Sequence, residues 1–370
     1  VKEPGPRRAV PALAAFAAVR LLGLAVLGGW SAAAGSSPHT LLSARWDSLW
    51  YARVAAGGYG YEVVLPDGAV HSSLAFFPLL PWLERVVAAP TGLSYGAAGL
   101  VVSAVAGLAA AWGIFAVADL LYGRRAGVLA AALWAALPVG IVQSMAYSES
   151  LFTALAAWSL YAVLRGRWIG AGLLAAAAGL TRPVGAAVVA AVWVAGVLAW
   201  RRGGQPWRTA AGLLLAPLGA AAYVLWTGAH TGGGPLGYLD VQAGWGNGFD
   251  GGWAFARFVG AKLSSFPAAL AGAALIAGVL LVLWAYRLCV RRRQPAALLV
   301  YGGVVVALAL CASGYFGSKP RLLLPAFPLL LPAAVALARW RPRRAAALLG
   351  ALALASAVYG AFWLNGSGPP

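Results

Sequence analysis

The chain has 370 residues, of which 62% are hydrophobic, with a mean hydropathy of +0.81 and a formal net charge of +18. A water-soluble core does not absorb that apolar fraction, and repeated runs of about 20 apolar residues read as membrane spans. The charge does not indicate a nucleic-acid partner, because 18 of the 27 basic residues fall in short clusters between the apolar runs.

Those clusters are Lys2/Arg7/Arg8, Arg124/Arg125, Arg165/Arg167, Arg201/Arg202/Arg208, Arg287/Arg291/Arg292/Arg293 and Arg339/Arg341/Arg343/Arg344. They occupy every second interval, the positive-inside pattern, so these ends are expected in the cytoplasm of a multi-pass plasma-membrane protein. Arginine outnumbers lysine, 24 to 3, and Ala and Gly are abundant, a composition that suggests a GC-rich bacterial source. Cys289 and Cys311 are expected near opposite ends of adjacent spans, out of disulfide reach.

In chain order, the first span is expected over Ala9–Ala33, retained rather than cleaved, with Arg20 near its middle facing a protein interior or a cavity. An external loop, residues 35–91, follows. Within it Trp46–Ala56 and Leu74–Ala88 read as interfacial helices, the second interrupted by Pro78 and Pro81. Further spans are expected over Ser94–Leu121, Ala126–Val142, Ser148–Leu164 and Trp168–Leu180, then one ending at Arg201 and one over Thr209–Trp226. A second external loop, residues 228–264, precedes spans at Phe266–Arg287, Ala296–Ser313, Leu322–Ala338 and Ala345–Trp363. The pattern predicts an all-α polytopic protein of eleven spans in one membrane domain (residues 1–370), N-terminus inside and C-terminus outside, with no separate soluble domain.

Nine acids are present, and seven are expected on or near the outer face: Asp47, Glu62, Asp67, Glu84, Glu149, Asp240 and Asp250. Asp47 is the strongest candidate base. Trp46 and Trp50 would partly desolvate it at the membrane surface, and Arg45 would hold it ionised. It fits equally the N-cap of an interfacial helix. Glu149, at the head of a span, also offsets a helix dipole. Arg182, Lys319 and Arg321 are cations at expected outer ends, against the charge bias; a lipid phosphate would explain them, as would snorkelling to headgroups. Glu62, Asp67 and His71 match no metal-ligand spacing, and neither a D-x-D pair nor a phosphate-binding glycine loop occurs, so no metal and no nucleotide cofactor is expected.

RWDSLWYARVAAGGYGYE followed by AFFPLLP resembles the first external loop of the PIG-V family, the second mannosyltransferase of GPI-anchor assembly. AYSESLFTALAAWSLYAVLRGRW resembles that family's second block, and VQAGWG is compatible with its later loop. Together the blocks cover roughly residues 45–185 and part of 228–249, departing from the eukaryotic pattern at Arg182-Pro183-Val184-Gly185, where an Asn near the Arg is expected. The resemblance implies a GT-C glycosyltransferase fold with its active site on the outer side and a polyprenyl-phosphate-mannose donor. The acceptor would be a glycolipid, glycan or protein. It aligns Asp47 with the acting acid; donor-phosphate or substrate contacts are expected from Arg45, Tyr51, Tyr59, Glu149, Arg182, Gln242, Trp245, Lys319 and Arg321. Such a transfer would be inverting, with one carboxylate as base, since a phosphate leaves without protonation. A lipid or sugar transporter, using Arg20, Asp119, Glu149 and Arg182, is the rival reading; an accessory membrane subunit is a third.

Overall fold

The computed structural model describes residues 6–203 and 206–366; Lys2 of the first basic cluster and Ser367 onwards lie outside this range. The described residues are helical with one short hairpin. Helices α1 (Pro6–Ala34), α2 (Pro38–Ser43) and α3 (Asp47–Gly57) lead to strands β1 (Glu62–Val64) and β2 (Val70–Ser72). Then come α4 (Leu79–Thr91), α5 (Tyr95–Tyr122), α6 (Arg124–Ala135), α7 (Glu149–Leu164), α8 (Trp168–Gly179) and α9 (Gly185–Arg201). After them follow α10 (Pro206–Leu215), α11 (Leu218–Thr231), α12 (Gly237–Gly244), α13 (Trp253–Leu263), α14 (Ala268–Arg291), α15 (Ala296–Cys311), α16 (Lys319–Leu322), α17 (Leu331–Leu337) and α18 (Pro342–Asn365).

Among the described residues, five helical segments are long and apolar enough to cross a membrane: Arg7–Ala34, Tyr95–Tyr122, Pro206–Thr231, Ala268–Arg291 and Pro342–Asn365. A sixth is reached if Phe316–Leu322 and Phe327–Leu337, bent by 73°, count as one broken span. Four shorter apolar helices, α7, α8, α9 and α15, lie where other spans were expected, so the expected eleven exceeds the number of full-length spans. The bend has a sequence cause. Pro320, Pro325, Pro328 and Pro332 remove donors from a continuous helix. The released carbonyls find side chains instead: Trp134 Nε1 donates to Leu324 O at 3.0 Å, Tyr301 Oη to Pro325 O at 2.9 Å, and Gln294 Nε2 to Pro328 O at 3.2 Å. Backbone polar groups within a membrane must be satisfied internally, and this arrangement meets that demand.

The core centres on α5, packed against α6 and α7, with α1 and α18 paired alongside. Gly113 permits the approach of α5 to α7; a Cβ there would lie 2.9 Å from Ala157 Cβ. Arg20 faces the interior, as expected for a cation within a span, and donates to the carbonyls of Ala135 and Gly140, where α6 ends. It thereby covers carbonyls that the helix terminus leaves open.

The first loop contains α3 and α4 near the expected interfacial helices, and the unexpected β1–β2 hairpin between them, paired Glu62↔Ser72 to Val64↔Val70. Its turn, Leu65-Pro66-Asp67-Gly68-Ala69, follows from local chemistry: Asp67 Oδ1 accepts from Ala69 N at 3.0 Å, and Gly68 takes φ +85°. Arg85 of α4 donates to the carbonyls of Val54 and Ala55, fixing the C-terminal end of α3.

Glu84, one residue earlier, is fully buried against α5, where a Cβ on Gly99 would lie 2.6 Å from Glu84 Oε1. Neither of its carboxyl oxygens has a hydrogen-bond partner among the described residues, and burial pushes its carboxyl up to about 9. The folded protein therefore keeps this proton while the unfolded chain releases it above the ordinary value of 4.5. The resulting stability is complete below that value and is lost progressively as pH rises toward about 9. Glu84→Gln should match the wild type in thermal unfolding in detergent near pH 5 and exceed it near pH 8 by several degrees, at roughly 2 °C per kcal/mol relieved. Parallel pH profiles for the two proteins would contradict this account.

Candidate active site

Asp47 is the first residue of α3, and its position is set by the residue before it. Trp46 takes φ 51°, a left-handed conformation uncommon for a bulky side chain, and turns the chain sharply into the helix. Arg45 consequently stacks on Trp46, its guanidinium carbon 4.4 Å from the ring centroid, and does not line the cavity beside Asp47. The ion pair expected from Arg45 comes from Arg321, whose Nη2 lies 2.9 Å from Asp47 Oδ2.

Arg321 is one link in a row of alternating charges. Its Nε lies 3.3 Å from Glu149 Oε1, and the same Glu149 oxygen pairs with Arg182 Nη1. Glu149 is 1% exposed, whereas Asp47 retains 26%. The contacts to Glu149 are ion pairs rather than aligned hydrogen bonds. Glu149 also opens α7, so it offsets that helix's dipole as the sequence suggested while holding two guanidinium groups together.

The neighbours of Glu149 in AYSES complete the base of the site. Arg182 Nη1 donates to Ser148 Oγ at 3.3 Å, and Tyr51 Oη and Ser148 Oγ lie 2.8 Å apart. Burial pushes the Tyr51 phenol well above its ordinary range, so it stays protonated and available as a donor. Tyr147 places its ring 5.1 Å from the Arg321 guanidinium carbon.

A cavity of about 430 Å³ opens over this row. Asp47, Tyr51, Arg182 and Arg321 line its polar side. Trp50, Phe76 and Trp245 form an aromatic wall, with Trp50 stacked on Phe76 at 5.5 Å and edge-on to Trp245 at 4.9 Å. Trp245 is anchored by Nε1 donating to Ser72 O at 3.0 Å, and His71 stacks on it at 4.0 Å. The third side is aliphatic, from Val305, Leu308, Ala309 and Leu322. Gln242 lines the cavity and is oriented at both ends of its amide, donating to Tyr238 Oη at 2.6 Å and accepting from Asn247 Nδ2 at 2.9 Å.

Two further expected contacts fall elsewhere. Lys319 is buried with its Nζ donating to Ala309 O at 2.8 Å and Ala312 O at 2.9 Å, above the rings of Phe255 and Phe316. It closes the C-terminal end of α15 and does not line the cavity. Tyr59 donates to Phe76 O at 2.8 Å behind the aromatic wall, where burial pushes its phenol up to about 12. The structure thus brings together Asp47, Tyr51, Glu149, Arg182, Arg321, Gln242 and Trp245, while Arg45 stacks on Trp46 and Tyr59 and Lys319 donate to backbone carbonyls outside the cavity. Ser148, Phe76 and Asn247 were not singled out from the sequence, although the first two lie inside the blocks AYSES and AFFPLLP.

A model of the dolichyl-phosphate-mannose-protein mannosyltransferase family matches residues 72–226. No curated protein matches the sequence significantly. Among solved structures, the crystal structure of ArnT from Cupriavidus metallidurans bound to undecaprenyl phosphate aligns with a TM-score of 0.52 and 18% identity, covering 83% of this chain and 57% of that one. The apo form gives 0.50 and 17%, covering 80% and 54%. The archaeal oligosaccharyltransferase AglB from Archaeoglobus fulgidus, in complex with an inhibitory peptide and a dolichol-phosphate, gives 0.51 and 13%, covering 97% and 56%. The chain spans little more than half the length of these proteins. At these identities the likeness is one of fold: a polytopic helical architecture shared with ArnT and AglB.

Proposed function

We propose that the protein is an inverting membrane glycosyltransferase that moves mannose from a polyprenyl-phosphate donor to an acceptor hydroxyl on the extracytoplasmic side of the plasma membrane. The acceptor belongs to a cell-envelope glycolipid, a glycan or a protein. The observation that carries this reading is the convergence of Asp47 with Arg182 and Arg321 on one cavity whose other walls are aromatic and aliphatic. ArnT is bound to undecaprenyl phosphate and AglB to a dolichol-phosphate, which supports a polyprenyl phosphate as the ligand of such a site. The matching mannosyltransferase model and the PIG-V-like blocks support mannose as the sugar.

In this mechanism the acceptor oxygen attacks the anomeric carbon of the donor as its proton passes to Asp47. The bond from that carbon to the phosphate oxygen breaks, and the polyprenyl phosphate leaves with the electron pair. Arg321 pairs with Asp47 at 2.9 Å and fixes the position of the carboxylate before reaction. Arg182 and Arg321 retain further N–H donors for phosphate oxygens, where charge develops. The aliphatic side receives the first units of the prenyl chain, and Trp50, Phe76 and Trp245 offer apolar faces to a sugar ring.

Trp46, not Asp47, is the N-cap of α3, and Asp47→Asn separates a catalytic carboxylate from a merely structural one, because Asn keeps the shape and hydrogen-bonding ability but accepts no proton at neutral pH. Purified protein would be incubated with prenyl-phosphate-mannose and an envelope lipid extract, and products read by mass spectrometry. Turnover of the Asn variant should fall by roughly 10²–10⁴-fold with donor binding retained. An active Asn variant would remove Asp47 from the mechanism.

Arg182→Gln and Arg321→Gln should weaken donor binding. A charged hydrogen bond contributes about 1.5–3 kcal/mol, which corresponds to roughly 10- to 150-fold in Kd. Unchanged donor affinity in both variants would place the phosphate elsewhere.

A further inference from the structure

A second cavity, also of about 430 Å³, lies between α1, α6 and α18. It is at the far end of the molecule from Asp47. Helix α5 begins beside the first site, with Gly99 against Glu84 and Ala146, and runs 28 residues to Tyr122, two positions before Arg124. At 1.5 Å per residue that is about 42 Å, enough to cross a bilayer. The two cavities therefore lie toward opposite ends of α5.

Arg124 and Arg125 form the rim of this second cavity, and Pro11, Val128, Leu129 and Leu349 belong to its apolar lining. Arg125 donates to Trp340 O, which ties the rim to the turn before α18. Arg124 is exposed and has no hydrogen-bond or ion-pair partner among the described residues. Among the described residues no acid lines the cavity, and the nearby Asp119 faces Arg8 at 3.1 Å. Helices α6 and α18 both begin here, with neither a side-chain cap nor an acidic residue in the first turn, so their open N–H groups add to the positive potential. Arg341, Arg343 and Arg344 extend that potential around the opening.

We propose that this cavity is a binding site for one anionic phospholipid. Its headgroup phosphate pairs with Arg124, beside the tethered Arg125, and one acyl chain lies along Val128, Leu129 and Leu349. The charge of the rim selects an anionic headgroup, and the apolar lining selects a lipid over a free anion. A zwitterionic headgroup brings a cation to the same rim and is disfavoured. The site is independent of the reaction proposed above.

The test is native mass spectrometry of the detergent-solubilised full chain with phosphatidylglycerol or phosphatidylcholine of matched acyl chains. One phosphatidylglycerol should be retained in preference to phosphatidylcholine. Arg124→Gln should lower that preference by about tenfold or more, the scale of a lost charged hydrogen bond. Leu349→Trp, which fills the groove and keeps every charge, should also displace the lipid. Arg202→Gln, at the exposed end of α9 outside the cavity, should leave binding unchanged. Thermal unfolding of each variant confirms that a loss is not one of folding. Equal retention of the two lipids would overturn the site. So would an Arg202→Gln effect as large as that of Arg124→Gln, which would mean diffuse surface attraction. Displacement by millimolar inorganic phosphate would overturn the lipid assignment in favour of a soluble anion.

Discussion

Two guanidinium groups approach one another in this protein's interior because Glu149 lies between them. Arg182 comes from the turn between α8 and α9, Arg321 from the short α16, and Glu149 from the head of α7. An uncompensated buried charge is costly; removing one partner of such a pair destabilises by about 3–5 kcal/mol. The three charges therefore fix three chain segments relative to one another. Asp47, held by Arg321, ties the first loop to the same row. The net worth of a buried ion network is often small, and its effect here is on geometry more than on stability: it presents two cations and one carboxylate along one wall of a cavity.

The broken helix at residues 316–337 makes that geometry accessible. A straight span would carry Arg321 through regular turns facing lipid or neighbouring helices. Proline-induced bending instead sets α16 across the cavity, and Trp134, Tyr301 and Gln294 supply the hydrogen bonds that the bend removes. Irregular backbone at membrane depth is stable only where protein or a cavity surrounds it, and both conditions hold here.

Much of this was legible in the sequence because polar residues are conspicuous in a hydrocarbon-rich chain. Asp47, Glu149, Arg182 and Arg321 stood out by charge and position, and the structure brings them to one site. The partners were less legible. Arg45 is adjacent to Asp47 in sequence, but the left-handed turn at Trp46 separates them, and Arg321 arrives from the other end of the chain. Lys319 and Arg321 looked equivalent, yet a four-residue helix sends one to the cavity and the other to the carbonyls of α15. Hydropathy found the apolar segments close to their bounds, as at α7, α8 and α15, but not the bend in the expected Leu322–Ala338 span. The hairpin at residues 62–72 was missed, although its Pro-Asp-Gly turn is a local signal.

The four side chains of the row sum to zero: two carboxylates against two guanidinium groups. A phosphodiester-linked donor, carrying one negative charge, brings the occupied site to about −1. Under the proposed reaction the departing phosphate approaches −2 while Asp47 is neutralised by the proton it accepts, so the total is again about −1. Charge moves across the cavity without accumulating in it. In an enclosure of low polarity that conservation matters, because a step that changed the local total would meet a Coulombic penalty that water does not screen. The proton then needs a route to solvent before the next cycle, and Asp47, the more exposed of the two acids, is the one placed to provide it.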